Sequence, residues 1–216
     1  THNLREVAAA ISAYIDNKDI TIDELMHYIK GPDFPTGGVI YGRDGIKKAY
    51  KTGRGRITIR SKFIIETDKK GREKIVFTEV PYGVNTTNII KKINDLKEEK
   101  VIDGIADAND ETSDDVGLRL VVELKRGAIT KLVLNQLFAK TDLQSNFGVI
   151  NLALVPKEKE GEPRYDEPGM LTLPQVYLKP EILNLKQLIE QFVKHRDEVI
   201  TRRTIYDLKV AKHRMH

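Results

Sequence analysis

Between Lys74 and Val155 the apolar pattern changes period repeatedly, and that succession constrains the fold more than any other feature of the chain. Lys74 to Val80 reads as a strand. Asn85 stands as an N-cap before Ile89, Ile90, Ile93 and Leu96, which recur at helical spacing. A strand is expected near Ile102 to Ala108 and another from Leu118 to Leu124. A helix from Ile129 to Lys140 and a last strand from Phe147 to Val155 complete the run.

Strand, helix, strand, strand, helix, strand is the split βαβ order of ferredoxin-like sheets. The expected class is α+β, an antiparallel sheet with helices on one face. An N-terminal helical segment precedes it and a long C-terminal helix follows. The first segment reads as a helix from Asn3 to Asn17, with Leu4, Val7, Ala8, Ile11 and Ile15 on one face. Thr21 and Glu24 form a capping box opening a second, short helix. Gly31 to Gly38 holds two prolines among its glycines, so it is a shaped loop. A short strand, Val39 to Tyr41, and a basic helical turn, Asp44 to Tyr50, come next.

From Arg54 to Ile65 one continuous strand is expected, with Ile57, Ile59, Phe63 and Ile65 on one face and Arg54, Arg56, Thr58, Arg60 and Lys62 on the other. It pairs with Lys74 to Val80 across the turn Asp68 to Gly71. Pro156 to Pro180 has almost no periodicity and reads as a long surface excursion. Leu183 to His216 contains neither Gly nor Pro and reads as one helix. Its apolar stripe (Leu185, Leu188, Ile189, Phe192, Val193, Val199, Ile200, Leu208) calls for packing against a second helix.

The net charge of +4 matters less than its placement. Between Arg43 and Lys62 stand eight basic residues (Arg43, Lys47, Lys48, Lys51, Arg54, Arg56, Arg60, Lys62) and one acid, Asp44. On a strand, guanidiniums two residues apart lie roughly 7 Å from one another, comparable with neighbouring phosphates along a nucleic-acid strand. Gly53 and Gly55 allow close backbone approach. A charged, solvated sheet face is the alternative reading, but eight bases against one acid favour phosphate binding. Lys125-Arg126 at a strand end is a further candidate, explained equally by a plain turn. The bases of the last helix, Lys194 to Arg214, fit DNA contact or local ion pairs alike.

Other chemistries find little support. Cysteine is absent, so no thiolate or cysteine-based zinc site exists. His195 and His213 lie on a charged helix, and Asp110 to Asp115 lacks the pattern of a calcium loop, so no metal site is expected. No run is apolar enough to span a membrane, and the first residues are not in signal-peptide order. An RNA-binding sheet stacks bases on aromatics of its central strands, and Leu118 to Leu124 has none. A purely structural spacer is the remaining alternative.

Several segments together resemble the A subunit of type IIA DNA topoisomerases: Gly31-Pro32-Asp33-Phe34-Pro35-Thr36-Gly37-Gly38, Tyr50-Lys51-Thr52-Gly53-Arg54-Gly55-Arg56, and Glu79-Val80-Pro81-Tyr82-Gly83-Val84-Asn85. Glu123-Leu124-Lys125-Arg126 and the helix from Phe192 to Thr204 extend the likeness over nearly the whole chain. The corner at Glu79 and the last helix are closer to the gyrase branch than to topoisomerase IV. The resemblance implies a tower domain that grips and bends DNA: a helical segment and loop at 1–53, an α+β tower core at 54–180 with the excursion at 156–180, and the start of a coiled coil at 181–216.

By the same resemblance the nucleophilic tyrosine is expected upstream. Tyr165, the one tyrosine after an arginine, sits in the wrong context, and the stretch alone should be inactive. Mg2+ and ATP belong to the B subunit, with no cofactor in this stretch. The implied partners are duplex DNA, the gyrase B subunit, and a second copy of the A subunit, together an A2B2 assembly in the bacterial cytoplasm at the nucleoid. The family's main dimer contacts lie elsewhere, so a monomer is compatible. The candidate DNA-binding residues are Arg43, Lys47, Lys51, Arg54, Arg56, Arg60, Lys62, Lys125 and Arg126.

Overall fold

A computed structural model describes residues 1–68, 71–158 and 176–214. The chain gathers into two compact units, one built from Thr1, Pro32–Ile46 and Arg56–Gly148, the other from His2–Gly31, Lys47–Gly55 and Val149–His216.

The first unit is organised by a four-stranded antiparallel sheet. Its strands are β3 (Lys62–Thr67), β4 (Glu73–Glu79), β5 (Ile105–Asp110) and β6 (Leu120–Leu124), in the order β3-β4-β6-β5. Two helices, α4 (Thr86–Glu98) and α5 (Thr130–Lys140), contribute to the core beside it. Asn85 starts α4 by accepting the Asn88 N–H, as the sequence indicates. The register aligns Phe63 with Phe77 and Phe77 with Leu120, so these side chains share one face. On that side Ile75, Phe77, Leu120 and Val122 meet Ile89 and Ile93 of α4 and Val133, Leu137 and Phe138 of α5. Burying each such side chain is worth about 1.5–3 kcal/mol.

The split βαβ reading holds for β4, α4, β5 and β6, but its last strand does not. The fourth place, beside β4, is filled by β3. The strand after α5, β7 (Gln144–Ile150), joins a separate sheet of order β1-β2-β7 with β1 (Val39–Ile40) and β2 (Arg54–Arg60). The single strand expected from Arg54 to Ile65 is likewise two strands in two sheets. Ser61, 1% exposed, marks the break, and its N–H donates to the Leu143 carbonyl at 2.8 Å. The break leaves parity unchanged, since Ile57, Ile59 and Phe63 all remain core-facing, so the alternation carries no trace of it. Ile65, at the sheet margin, stays 48% exposed.

The other face of the four-stranded sheet is charged. Arg119 makes a bidentate pair with Glu66 at 2.8 and 2.6 Å and reaches Glu111 at 3.0 Å. Lys74 meets Glu123 at 2.6 Å. Stems of such long side chains can shield apolar neighbours, here Val76 and Val121, both buried.

In the second unit, α1 (Leu4–Asp16) and α2 (Ile22–Tyr28) pack with the start of α6 (Leu185–Arg214). Ala10, Tyr14, Leu25, Ile29, Leu185 and Ile189 are buried. The inward face of α1 therefore carries Ala10 and Tyr14, while Leu4 and Ile15 are exposed, contrary to the sequence reading. The Thr21–Glu24 capping box is present as expected. Asn184 and Gln187 exchange backbone-to-side-chain hydrogen bonds of 2.9 and 2.8 Å, a second reciprocal cap that starts α6 two residues later than expected. Beyond Val193 the apolar side chains Ile200, Ile205 and Leu208 are solvent-exposed.

The ends of the supposed aperiodic excursion are in fact paired. β8 (Leu152–Glu158) and β9 (Val176–Ile182) form an antiparallel ribbon in register from Leu152↔Ile182 to Glu158↔Val176. Pro156 and Pro180 occur in it because a two-stranded ribbon consists only of edges, where a missing N–H is tolerated. Residues 159–175, with Tyr165, lie outside the described residues.

Candidate nucleic-acid interface

The candidate residues are laid out by a short helix, α3 (Asp44–Thr52), feeding directly into β2. Gly45 permits this in the first unit, because a side chain there would strike the Arg56 carbonyl. Within β2, Ile57 and Ile59 are buried, while Arg54 and Arg56 are exposed on the alternate positions.

Farther along β2 the row changes character. Thr58 donates to Asn146 at 2.8 Å, and Arg60 donates to Gln144 at 2.6 Å. The Arg60 guanidinium also lies 3.5 Å from the Tyr41 ring centroid and 4.9 Å from that of Phe138. Pairing with β7 thus brings polar side chains alongside, and the row expected from the alternation shortens to Arg54 and Arg56.

The lysines differ from the arginines. In the first unit Lys62 pairs with Glu79 at 3.0 Å and Lys125 with Asp103 at 2.7 Å. In the second unit Lys47 and Lys51 share Asp23, at 3.5 and 2.7 Å. Among the described residues no hydrogen bond or ion pair engages the guanidiniums of Arg43, Arg54, Arg56 or Arg126. Of the nine candidates, all four lysines face a carboxylate and, among the described residues, none of the five arginines does; Arg60 alone of these arginines is held, by Gln144 and two rings.

Glycine has a different role from the one its spacing suggests. Gly53, φ 73°, is buried against Ile182 and the Leu183 carbonyl. Its N–H closes α3 by donating to Ala49, and its carbonyl accepts from Asn151. Its close approach is to its own chain, and its amide is not free for phosphate.

Two acids and one ring escaped the sequence reading. Glu79 accepts the Gly38 N–H at 2.6 Å while holding Lys62, and a side chain at Gly37 would collide with its carboxylate. The Gly38 hydrogen bond, then Lys62, holds the Glu79 carboxyl below its ordinary range. Gly37 and Gly38 adopt φ of 71° and 90°, a conformation that suits glycine. The Lys51 hydrogen bond foremost lowers Asp23 likewise. Tyr41, 58% exposed, carries Arg60 on its face. Glu79 stands in a segment marked by resemblance, whereas nothing local in the sequence pairs Asp23 with residues on another helix.

Elsewhere the expectations are modest. The acidic stretch after β5 is a turn in which Asp110 accepts the Thr112 N–H. No group of three or more potential metal ligands occurs among the described residues, and no described helix is long and apolar enough to cross a membrane. On α6, Arg202 pairs with Glu198 and Arg203 with Asp207 at 3.7 Å, each one turn away, so local pairing accounts for these two bases.

Fold and site together define an α+β chain whose exposed arginines Arg43, Arg54, Arg56 and Arg126 are unengaged among the described residues, and guanidinium is the side-chain group best suited to bidentate phosphate contact. Comparison with known proteins makes this specific. The family model for the A subunit of DNA gyrase/topoisomerase IV matches residues 1–216. The DNA gyrase A subunit of Treponema pallidum is 55% identical over 215 residues, and that of Pseudomonas aeruginosa 48% over 217. The DNA topoisomerase 4 A subunit of Staphylococcus epidermidis is 42% identical over 215. Each alignment covers 100% of this chain but only 24%, 21% and 24% of the relative, so the chain spans under a quarter of their length. The chain belongs to the DNA gyrase/topoisomerase IV A-subunit family, the A subunits of type IIA topoisomerases.

Proposed function

We propose that this chain is the DNA-gripping and DNA-bending tower segment of a gyrase A subunit. It serves an ATP-dependent enzyme that passes one duplex through a transient double-strand break and introduces negative supercoils. In this reading a B subunit supplies Mg2+ and ATP chemistry, a second A subunit completes the assembly, and the nucleophilic tyrosine lies upstream. The region would act in the cytoplasm at the nucleoid. The observation that carries the reading is the separation within the basic set: Arg43, Arg54, Arg56 and Arg126 have no carboxylate partner among the described residues. An unpaired exposed guanidinium is hydrated and ready for bidentate phosphate contact.

The test is salt-dependent binding of the 216-residue chain to random-sequence duplex DNA. Replacing Arg43, Arg54 and Arg56 together by Ala should reduce the log–log salt slope by about 0.9 for each phosphate no longer neutralised. An unchanged slope would remove these residues from the interface. Topoisomerase IV is the second reading. It shares the family, but the relative named for it is less similar, 42% against 55% for the Treponema gyrase protein. Supercoiling against decatenation by the full-length protein with its B subunit separates the two.

A further inference from the structure

We propose that Asp23 is an internal competitor of DNA phosphate, holding Lys47 and Lys51 back from the duplex and so limiting the affinity of the second unit. This inference rests on the DNA-binding reading above. Lys47 and Lys51 lie one helical turn apart on α3 and therefore project together. Asp23, in the first turn of α2, reaches both, with Oδ2 2.7 Å from the Lys51 ammonium and Oδ1 3.5 Å from that of Lys47. Side-chain exposures of 55%, 54% and 40% leave all three within reach of a ligand. The helix N-terminus also favours a negative charge at Asp23.

Exposed ion pairs of this kind contribute little to folding. Their effect on binding is another matter. A carboxylate at hydrogen-bond distance offers an ammonium what a phosphate oxygen would, so a phosphate must displace Asp23 to gain these lysines. Glu79 on Lys62 and Asp103 on Lys125 repeat the device in the first unit. The arginines then supply the standing contacts and the lysines a weaker, conditional set. Such a division suits a surface that must release its duplex as well as hold it.

The experiment compares Asp23→Asn with Asp16→Asn in the 216-residue chain, titrating salt against a short random-sequence duplex. Asp16 is exposed in the same unit and has no ion pair among the described residues, so its variant reports charge removal alone. Asp23→Asn should bind several-fold tighter at low salt, and its slope should steepen by about 0.9 per lysine released. Asp16→Asn should leave the slope unchanged. Adding Lys47→Gln and Lys51→Gln to Asp23→Asn should return the slope to that of the parent chain. An Asp23→Asn slope equal to that of Asp16→Asn overturns the proposal.

If circular dichroism shows Asp23→Asn unfolded, Lys47→Gln/Lys51→Gln in the parent chain decides instead. No change of slope is then expected, and a fall of about 1.8 is contrary to the idea. Salt-independent binding by every variant sinks the DNA reading itself. A slope that responds to the arginines but not to Asp23 sinks this inference alone.

Discussion

Arg119 and Arg56 belong to the same unit, one directly before β6 and the other within β2, yet they are bound up in opposite ways. Arg119 is engaged at all three guanidinium nitrogens. Glu66 grips it in two places and Glu111 in a third, and these contacts raise its already high pKa further. Arg56 has no such partner among the described residues. Both are arginines beside apolar strand residues, and a charge count treats them alike. Pairing separates a basic group that fastens a sheet from one left available to a ligand.

Four measurements can break or sharpen that contrast. The largest effect belongs beneath the sheet, where Phe77 is fully buried, with ring centroids of Phe63 and Phe138 at 6.2 and 6.3 Å. Phe77→Ala should cost about 3–5 kcal/mol in denaturant unfolding, the scale against which the charged face is judged. Arg119→Ala should cost roughly 1–2 kcal/mol, discounted for partial exposure, and leave the DNA salt slope untouched. A slope that falls as far as with Arg56→Ala would erase the distinction between the two arginines.

The third measurement concerns pH. The hydrogen bonds from Arg119 hold the Glu66 carboxyl below its ordinary range. A carboxylate depressed in the folded state adds stability above its unfolded pKa and loses it as pH falls through the folded one. Urea midpoints should therefore decline on acidification below about pH 5, with a shallower decline in Glu66→Gln. Equal declines in both proteins assign the acid limb to other carboxylates. The smallest effect on stability is that of Arg56→Ala, within about 0.5 kcal/mol of the parent chain. Its DNA salt slope should nonetheless fall by about 0.9, and a larger loss of stability with an unchanged slope would make Arg56 a structural residue like Arg119.

Much of this was legible in advance because it is local. Asn85 and the Thr21–Glu24 box are written in neighbouring residues, and so is the periodicity of α4 and α5. The inward face of β2 follows from its alternation, and the family likeness rests on contiguous segments. The missed features are those in which distant residues meet. Gln144 claims Arg60 from 84 positions away, and Asp23 reaches Lys51 across 28. The ribbon of β8 and β9 escaped notice because its two prolines look like breakers until the pairing makes them edge residues.

Neighbouring residues were enough to set the class of fold, the helix starts made by their own side chains, and the concentration of positive charge between Arg43 and Lys62. Folding in three dimensions chose which strand fills the fourth place beside β4, where the chain changes sheets at Ser61, and which bases remain unengaged. Periodicity records which way a side chain points relative to the backbone, and that is a property of a few consecutive residues. A partner across space leaves no such record: strand order and charge pairing exist only once the chain has closed upon itself.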